Sequence, residues 1–337
     1  ATGASDETVF YSLRFLLGIA EAGFFPGIIF YLTLWFPSVY RARVIALFML
    51  AIPFSSIIGA PISGALLNIT TVSFEGWQWL FILEAVPSVV MGFAVIFFLT
   101  DRPAHARWLQ PDERAWLGNR LDEENARKTE AEHLSIGQAL HDGRVLACAV
   151  VYFCLNAASY GVAFFLPTIV KGFGVSNFQT GLLAALPFVF GAVGMVLLSR
   201  NSDRTLRRRE HVCFAMVLAA IGVGGAGLVS APALVLGLLC LGQIGVSAMP
   251  PLFWPLPSAF LTGSSAAAGI AAINSIGNLS GFGGPFLMGY LRDATGSFTA
   301  GLLALGAFAL IGAVIAMLLR IAPHLERAEQ RSALAAH

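Results

Sequence analysis

The chain has 337 residues, 57% of them hydrophobic and 12% charged, with a formal net charge of +1. Soluble domains carry about 45–50% apolar and about 25% charged residues; water could not solvate this much apolar surface, whereas a bilayer removes the need to bury it in one core. A nucleic-acid partner is excluded as well, because the charges sit in loops and form no basic stripe.

A hydrocarbon core of about 30 Å takes about 20 helical residues. Nine apolar runs meet that scale: 9–36, 44–67, 79–100, 144–170, 178–199, 211–229, 233–261, 266–291 and 299–320. The first holds Arg14 and Glu21, seven residues apart and so on one helical face, about 10 Å along the axis. Ionisable groups inside hydrocarbon are tolerated chiefly where they face a cavity or a partner. Arg14 reads as an anion or ion-pair partner, or as an arginine snorkelling to the nearby helix end. Glu21 lies deeper and reads as a proton-coupling carboxyl or as half of a static pair. In the third run Glu84 follows the interfacial anchor Trp77 and Trp79, which favours a structural hydrogen bond near the membrane surface.

Residues 101–143 are charged and mixed in sign, with a helix-forming stretch from Asp112 to Lys128. They read as a solvated linker between two helical bundles, 1–100 and 144–337. In the fourth run Asn156, Ser159 and Tyr160 make a polar patch suited either to substrate hydrogen bonds or to interhelical packing. The run 233–261 carries Pro250, Pro251, Pro255 and Pro257, which predicts an interrupted helix of the kind tolerated where backbone lines a cavity. In 266–291, Asn274 and Asn278 share a face at i and i+4, and Gly277 and Gly281 form a GxxxG ridge. The glycines admit a neighbouring helix, while the amides can read a ligand or act as polar glue.

Basic residues fix the expected orientation. Seventeen fall on one side: Arg41, Arg43, seven from Arg102 to Arg144, five from Arg200 to Arg209, and Arg320, Arg327 and Arg331. Lys171 and Arg292 fall on the other. This predicts a multi-pass inner-membrane protein with a cytoplasmic C-terminus. The sequence opens at Ala1 with no signal peptide, and six runs after the linker against three before it predict three further helices ahead of the start. Cys148, Cys154, Cys213 and Cys240 fall singly in apolar runs and read as buried thiols. All six histidines lie in loops, helix ends or the tail, and hydrolase, Walker and zincin patterns are lacking, so neither an enzyme nor a metal or cofactor site is expected.

The segment R-F-L-L-G-I-A-E-A-G-F-F-P-G from Arg14 to Gly27, W-F-P at Trp35–Pro37 and R-A-R at Arg41–Arg43 resemble the fourth helix and following loop of the anion:cation symporter family of the major facilitator superfamily. The runs Ile58–Gly64, Trp79–Glu84, I-N-S-I-G-N-L-S-G-F around Asn274 and Asn278, and Asp293–Phe298 extend the resemblance over nearly the whole chain. S-D-R-T-L-R-R-R at Ser202–Arg209 looks like a degenerate second copy of the superfamily's cytoplasmic loop motif, with Ser199 and Leu206 where glycines belong. It places Asp203, Arg204, Arg207 and Arg208 as loop residues that pair near helix ends to bias carrier states.

The resemblance implies an all-α, two-bundle membrane carrier, with the last three helices of the first bundle and all six of the second present. It implies monomeric, proton-driven uptake of a small organic anion such as a sugar acid, dicarboxylate or aromatic carboxylate, at a site between bundles that rock. Arg14 and Glu21 match the family's charged pair on the fourth helix, and Asn156, Tyr160, Asn274 and Asn278 are the expected substrate readers. Efflux of amphipathic compounds and non-transporting nutrient sensing are the competing functions.

Overall fold

The computed structural model describes residues 7–22, 24–37, 44, 47–69, 74–129, 141–205, 207–258 and 263–319. Among them the regular structure is helical throughout, as the apolar runs require: in lipid every backbone N–H and C=O must be satisfied within its own segment. Six helical stretches are each long and apolar enough to cross a bilayer: Leu47–Leu66, Gly76–Phe98, Gly143–Lys171, Asn177–Thr205, Pro232–Pro257 and Thr299–Leu318. Run 211–229 is helical from Arg208 with a π-helical turn at Ala220–Gly224, and run 266–291 is described as the two helices Gly263–Asn278 and Ser280–Thr295.

The chain separates into two compact units, one of Ala1–Ala51 and Ala65–Ala131, the other of Ile52–Gly64 and Glu132–His337. In the first, α1 (Glu7–Ala22) and α2 (Phe24–Trp35) cover the first apolar run. α3 (Ala51–Leu66) begins in this unit, but most of it groups with the second. α4 (Gly76–Phe98) starts from a capping box between Glu75 and Gln78, which satisfies end amides that would otherwise be orphaned. The expected linker helix is present as α5 (Pro111–Thr129). Trp35 stacks on Trp108 with ring centroids 5.6 Å apart, and the Tyr31 hydroxyl donates to the Thr100 carbonyl at 3.0 Å. These contacts tie the end of α2 to the segment leaving α4.

The second unit contains α6 (Gly143–Lys171), α7 (Asn177–Thr205), α8 (Arg208–Ala219), α9 (Pro232–Phe253), α10 (Pro255–Ser258), α11 (Gly263–Asn278), α12 (Ser280–Thr295) and α13 (Thr299–Leu318). α6 is the hub and packs against α11, α12 and α13, while α9 packs along α7 and α8. Lipid tails are as apolar as leucine, so helices here associate by close packing rather than by escape from water. The core reflects this. Around Val145, Ala149, Cys154, Ala215, Met216, Ala248, Met249 and Phe253 it mixes small residues with a few large ones.

Two glycine positions fix the approach of α9. A Cβ on Gly222, inside the π-helical turn Ala220–Gly224, would collide with the backbone of Gly242, and one on Gly245 would collide with the carbonyl of Ala215. Segment 52–64 meets α7 in the same manner, Gly64 against Asn177 and Gly181 against Ala60, backbone to backbone.

The interruption expected from the prolines of 233–261 is slight: helical structure runs from Pro232 through Pro250 and Pro251 to Pro257, and Trp254, just before Pro255 of α10, keeps helical dihedrals of φ −59° and ψ −31°. Proline is well suited to a first helical position, where its missing N–H would be unpaired in any case. Of the cysteines, Cys148, Cys154 and Cys240 are buried and Cys213 is half-buried.

Candidate functional site

The polar face of α6 meets an aromatic group from the end of α9 and the glycines of α11 and α12. Tyr152 stacks on Phe253 at 5.2 Å and meets Trp254 edge-on at 5.0 Å. Its hydroxyl lies against the Asn156 amide and the Trp254 indole. Asn156 is only 8% exposed, and its Nδ2 makes no well-formed hydrogen bond among the described residues, the adjacent Tyr152 hydroxyl included. A buried donor left unpaired costs about 1–3 kcal/mol, so this amide has capacity for a better-placed acceptor oxygen. One helical turn on, Tyr160 is half exposed.

The glycine ridge is what brings α11 and α12 onto this face. A side chain at 277 would strike the Tyr152 ring, a Cβ at 281 would sit 3.6 Å from the Tyr160 ring, and one at 284 would collide with the Ala157 carbonyl. The expected close helix approach therefore occurs, with α6 as the partner. α11 and α12 meet at Leu279, which keeps helical dihedrals of φ −58° and ψ −24°, and the Ser280 hydroxyl donates to the Gly277 carbonyl. Beside this junction Asn278 donates from Nδ2 to Asn274 Oδ1 at 3.0 Å. The two amides thus act as one unit, with Asn274 half-buried and Asn278 exposed.

Sequence reasoning missed Tyr152, Trp254, and the pair Gln243–Ser247. Gln243 is 7% exposed and donates from Nε2 to Ser247 Oγ at 3.2 Å. A lone amide in the apolar run 233–261 was the available signal for Gln243. Tyr152 and Trp254 read as ordinary membrane aromatics.

In the other unit Arg14 and Glu21 both lie on α1 with exposed side chains, and Arg14 sits over the Phe10 ring at 5.5 Å. Glu84 is exposed on α4. Of the loop residues, Asp203 and Arg204 are exposed at the end of α7 and Arg208 is half-buried at the start of α8. Arg207 lies 3.5 Å from Glu210, and Arg209 donates from Nη1 to the Leu319 carbonyl at 3.1 Å.

The chain matches the Major Facilitator Superfamily over residues 1–285 and, in an overlapping second match, over 148–336. A relative from Agrobacterium vitis named as a tartrate transporter is 48% identical over 318 residues, 94% of this chain and 73% of the relative. A quinolone resistance transporter of Acinetobacter baumannii is 38% identical, over 91% of this chain and 71% of its own length.

Among solved structures the xylose transporter XylE from E. coli, in a partially occluded inward open conformation, superposes with a TM-score of 0.64 at 14% identity. That match takes in 85% of this chain, which spans 65% of the xylose transporter's length. A bacterial homologue of the lysosomal transporter Spinster gives 0.60 at 17% identity, over 92% of this chain and 75% of that one. At such identities the likeness is one of fold. With the family matched along most of its length, the chain belongs to the Major Facilitator Superfamily of membrane transporters.

Proposed function

We propose that this protein imports a small hydroxylated carboxylate together with protons, by alternating access across the inner membrane. The observation that supports this reading most directly is the buried Asn156 amide, whose Nδ2 makes no well-formed hydrogen bond among the described residues. A hydroxy acid supplies such acceptors from both its carboxylate and its hydroxyl oxygens. Tyr160 and the coupled Asn274–Asn278 pair add further polar contacts on neighbouring helical turns. The name borne by the Agrobacterium relatives points to the same class, a tartrate-like dicarboxylate.

Arg14 is assigned the positive field that attracts the anion, and Glu21 the proton. A carboxyl in an apolar run is neutralised on protonation and charged on release, so its two states differ in their tolerance for lipid and for water. The arginine-rich ends of the helices lie on the cytoplasmic side in this reading, and Asp203, Arg204, Arg207 and Arg208 bias the carrier between states from there.

The test is uptake of labelled tartrate by proteoliposomes under an imposed pH gradient, comparing the parent with Glu21→Gln. The expected result is loss of uphill accumulation with substrate exchange retained. Undiminished uphill uptake in Glu21→Gln overturns the assignment. The 38% identical quinolone resistance relative favours a second reading, efflux of amphipathic compounds. Under that reading cells lacking the protein become drug-sensitive and still grow on the carboxylate.

A further inference from the structure

Outside the polar site, the described residues form an apolar groove near the arginine-bearing start of α8. It runs between α8 and α13, has a volume of about 260 Å³, and is lined by Cys213, Val217, Leu310, Val314, Met317 and Leu318 among others. Leu310, Val314, Met317 and Leu318 are each about half or more exposed, so the groove opens on the outer surface of the unit.

Arg209, Cys213 and Val217 follow one another at i, i+4 and i+8 and so share a face of α8. Arg209 also bridges to α13 by donating to the Leu319 carbonyl, beside the groove wall. That contact takes one of five guanidinium N–H donors. From Arg209 to Val217 the groove descends about 12 Å along the helix axis, close to the roughly 15 Å of hydrocarbon in one leaflet. Arg207, Arg208 and Arg209 open α8 with Glu210 as the acidic residue of its first turn, and Glu210 is engaged by Arg207, so the start of α8 is net positive. An apolar slot of leaflet depth with a guanidinium at its polar end has the chemistry of a phospholipid bearing a net negative headgroup.

We propose that the groove between α8 and α13 binds an anionic phospholipid, one acyl chain along Cys213, Val217 and Val314 and the phosphate on Arg209. Arg209 then serves twice, as the tie between α8 and α13 and as the headgroup ligand. Bound lipid would brace these two helices at their arginine-rich ends.

The experiment uses the purified full chain in detergent, titrated with phosphatidylglycerol or with phosphatidylcholine of the same acyl chains and followed by native mass spectrometry. Half-occupancy by phosphatidylglycerol is expected at a concentration about fivefold lower, because both phosphates can accept from Arg209 but only phosphatidylcholine adds a choline cation that opposes the basic end. Arg209→Gln should erase that preference, and Val314→Trp, which fills the slot, should reduce binding of both lipids. A role for Arg209 in bracing alone would lower thermal stability in Arg209→Gln and leave the preference intact, which overturns the proposal.

A second arm needs no variant. Cys213 is the one half-buried cysteine, so its rate of alkylation reports on the groove. Phosphatidylglycerol should slow it several-fold, while phosphatidylcholine and glycerol phosphate leave it unchanged. Equal occupancy by the two lipids, protection by glycerol phosphate, or no protection by any of the three overturns the proposal.

Discussion

The ring of Tyr152 lies over Gly277 so closely that a Cβ on residue 277 would stand 2.9 Å from Cε1. Gly277→Ala therefore forces out a ring that is itself held between Phe253 and Trp254. Overpacking of this kind costs about 1–3 kcal/mol. A matching fall in thermal stability is expected in detergent, largely restored when Tyr152→Leu is added. A double-mutant cycle checks the coupling, and strict additivity of the two changes would show that the ring and the glycine do not meet.

Asn156→Leu separates binding from stability. Removing a buried donor that lacks a well-formed hydrogen bond relieves its desolvation penalty, so the variant should melt at or above the parent temperature. The same change removes one substrate hydrogen bond and should raise the KM for uptake about tenfold. Thermal melts and transport kinetics on one preparation decide it. A variant that unfolds early while keeping its KM contradicts the assignment.

Gly64 and Asn177 make a contact in which both obstacles are backbone. A Cβ on Gly64 would lie 2.5 Å from the Asn177 carbonyl oxygen and 3.2 Å from the Gly181 Cα. No change of rotamer relieves this, so Gly64→Leu must displace segment 52–64 from α7. With an introduced cysteine at 177 as reporter, labelling by a water-soluble maleimide should rise about tenfold or more in the Gly64→Leu background, as expected for an opening equilibrium moved by 1–3 kcal/mol. Identical rates in the two backgrounds would sink the prediction.

Asp142 caps α6, accepting from the Arg144 backbone N–H at 2.8 Å and pairing with the Arg144 guanidinium at 3.0 Å. The side-chain hydrogen bond from Arg144 holds the Asp142 carboxyl below its ordinary value, outweighing the opposing effect of partial burial. A carboxyl whose folded-state pKa is lowered contributes stability above its unfolded value and loses it as pH falls through the folded one. Asp142→Ala should cost about 1 kcal/mol of cap energy at neutral pH. The gap between parent and variant should narrow below about pH 4, where the unfolded carboxyl begins to protonate. Hydrogen exchange in the first turn of α6 measures it. A gap independent of pH would assign the cap to geometry alone.

Much of this was legible in the sequence, because length and apolarity are what a bilayer selects. The runs 79–100, 144–170, 178–199 and 299–320 return as helices within a few residues at most ends. The helix within residues 101–143 was equally visible. The π-helical turn at Ala220–Gly224 was not, since it lies where Gly242 of another helix passes close. The prolines of 233–261 suggested an interruption, yet the helix runs through them to Pro257. At the polar site, composition singled out Asn156, Tyr160, Asn274 and Asn278. It could not tell that Asn278 donates to Asn274 while the Asn156 amide lacks a well-formed hydrogen bond among the described residues, because hydrogen-bond pairing depends on which helices adjoin.

The Ser280 hydroxyl, donating to the Gly277 carbonyl, pairs a backbone oxygen where α11 meets α12, and Leu279 between them keeps helical dihedrals. Asn274 and Asn278 stand on one side of that junction, and the stacked rings of Phe282, Phe286 and Tyr290, with centroids 5.2 and 6.4 Å apart, stand on the other. Gly277 and Gly284 both lie hard against α6, so the coupled amides inherit their position from that one neighbour, and whatever shifts α6 shifts them with it.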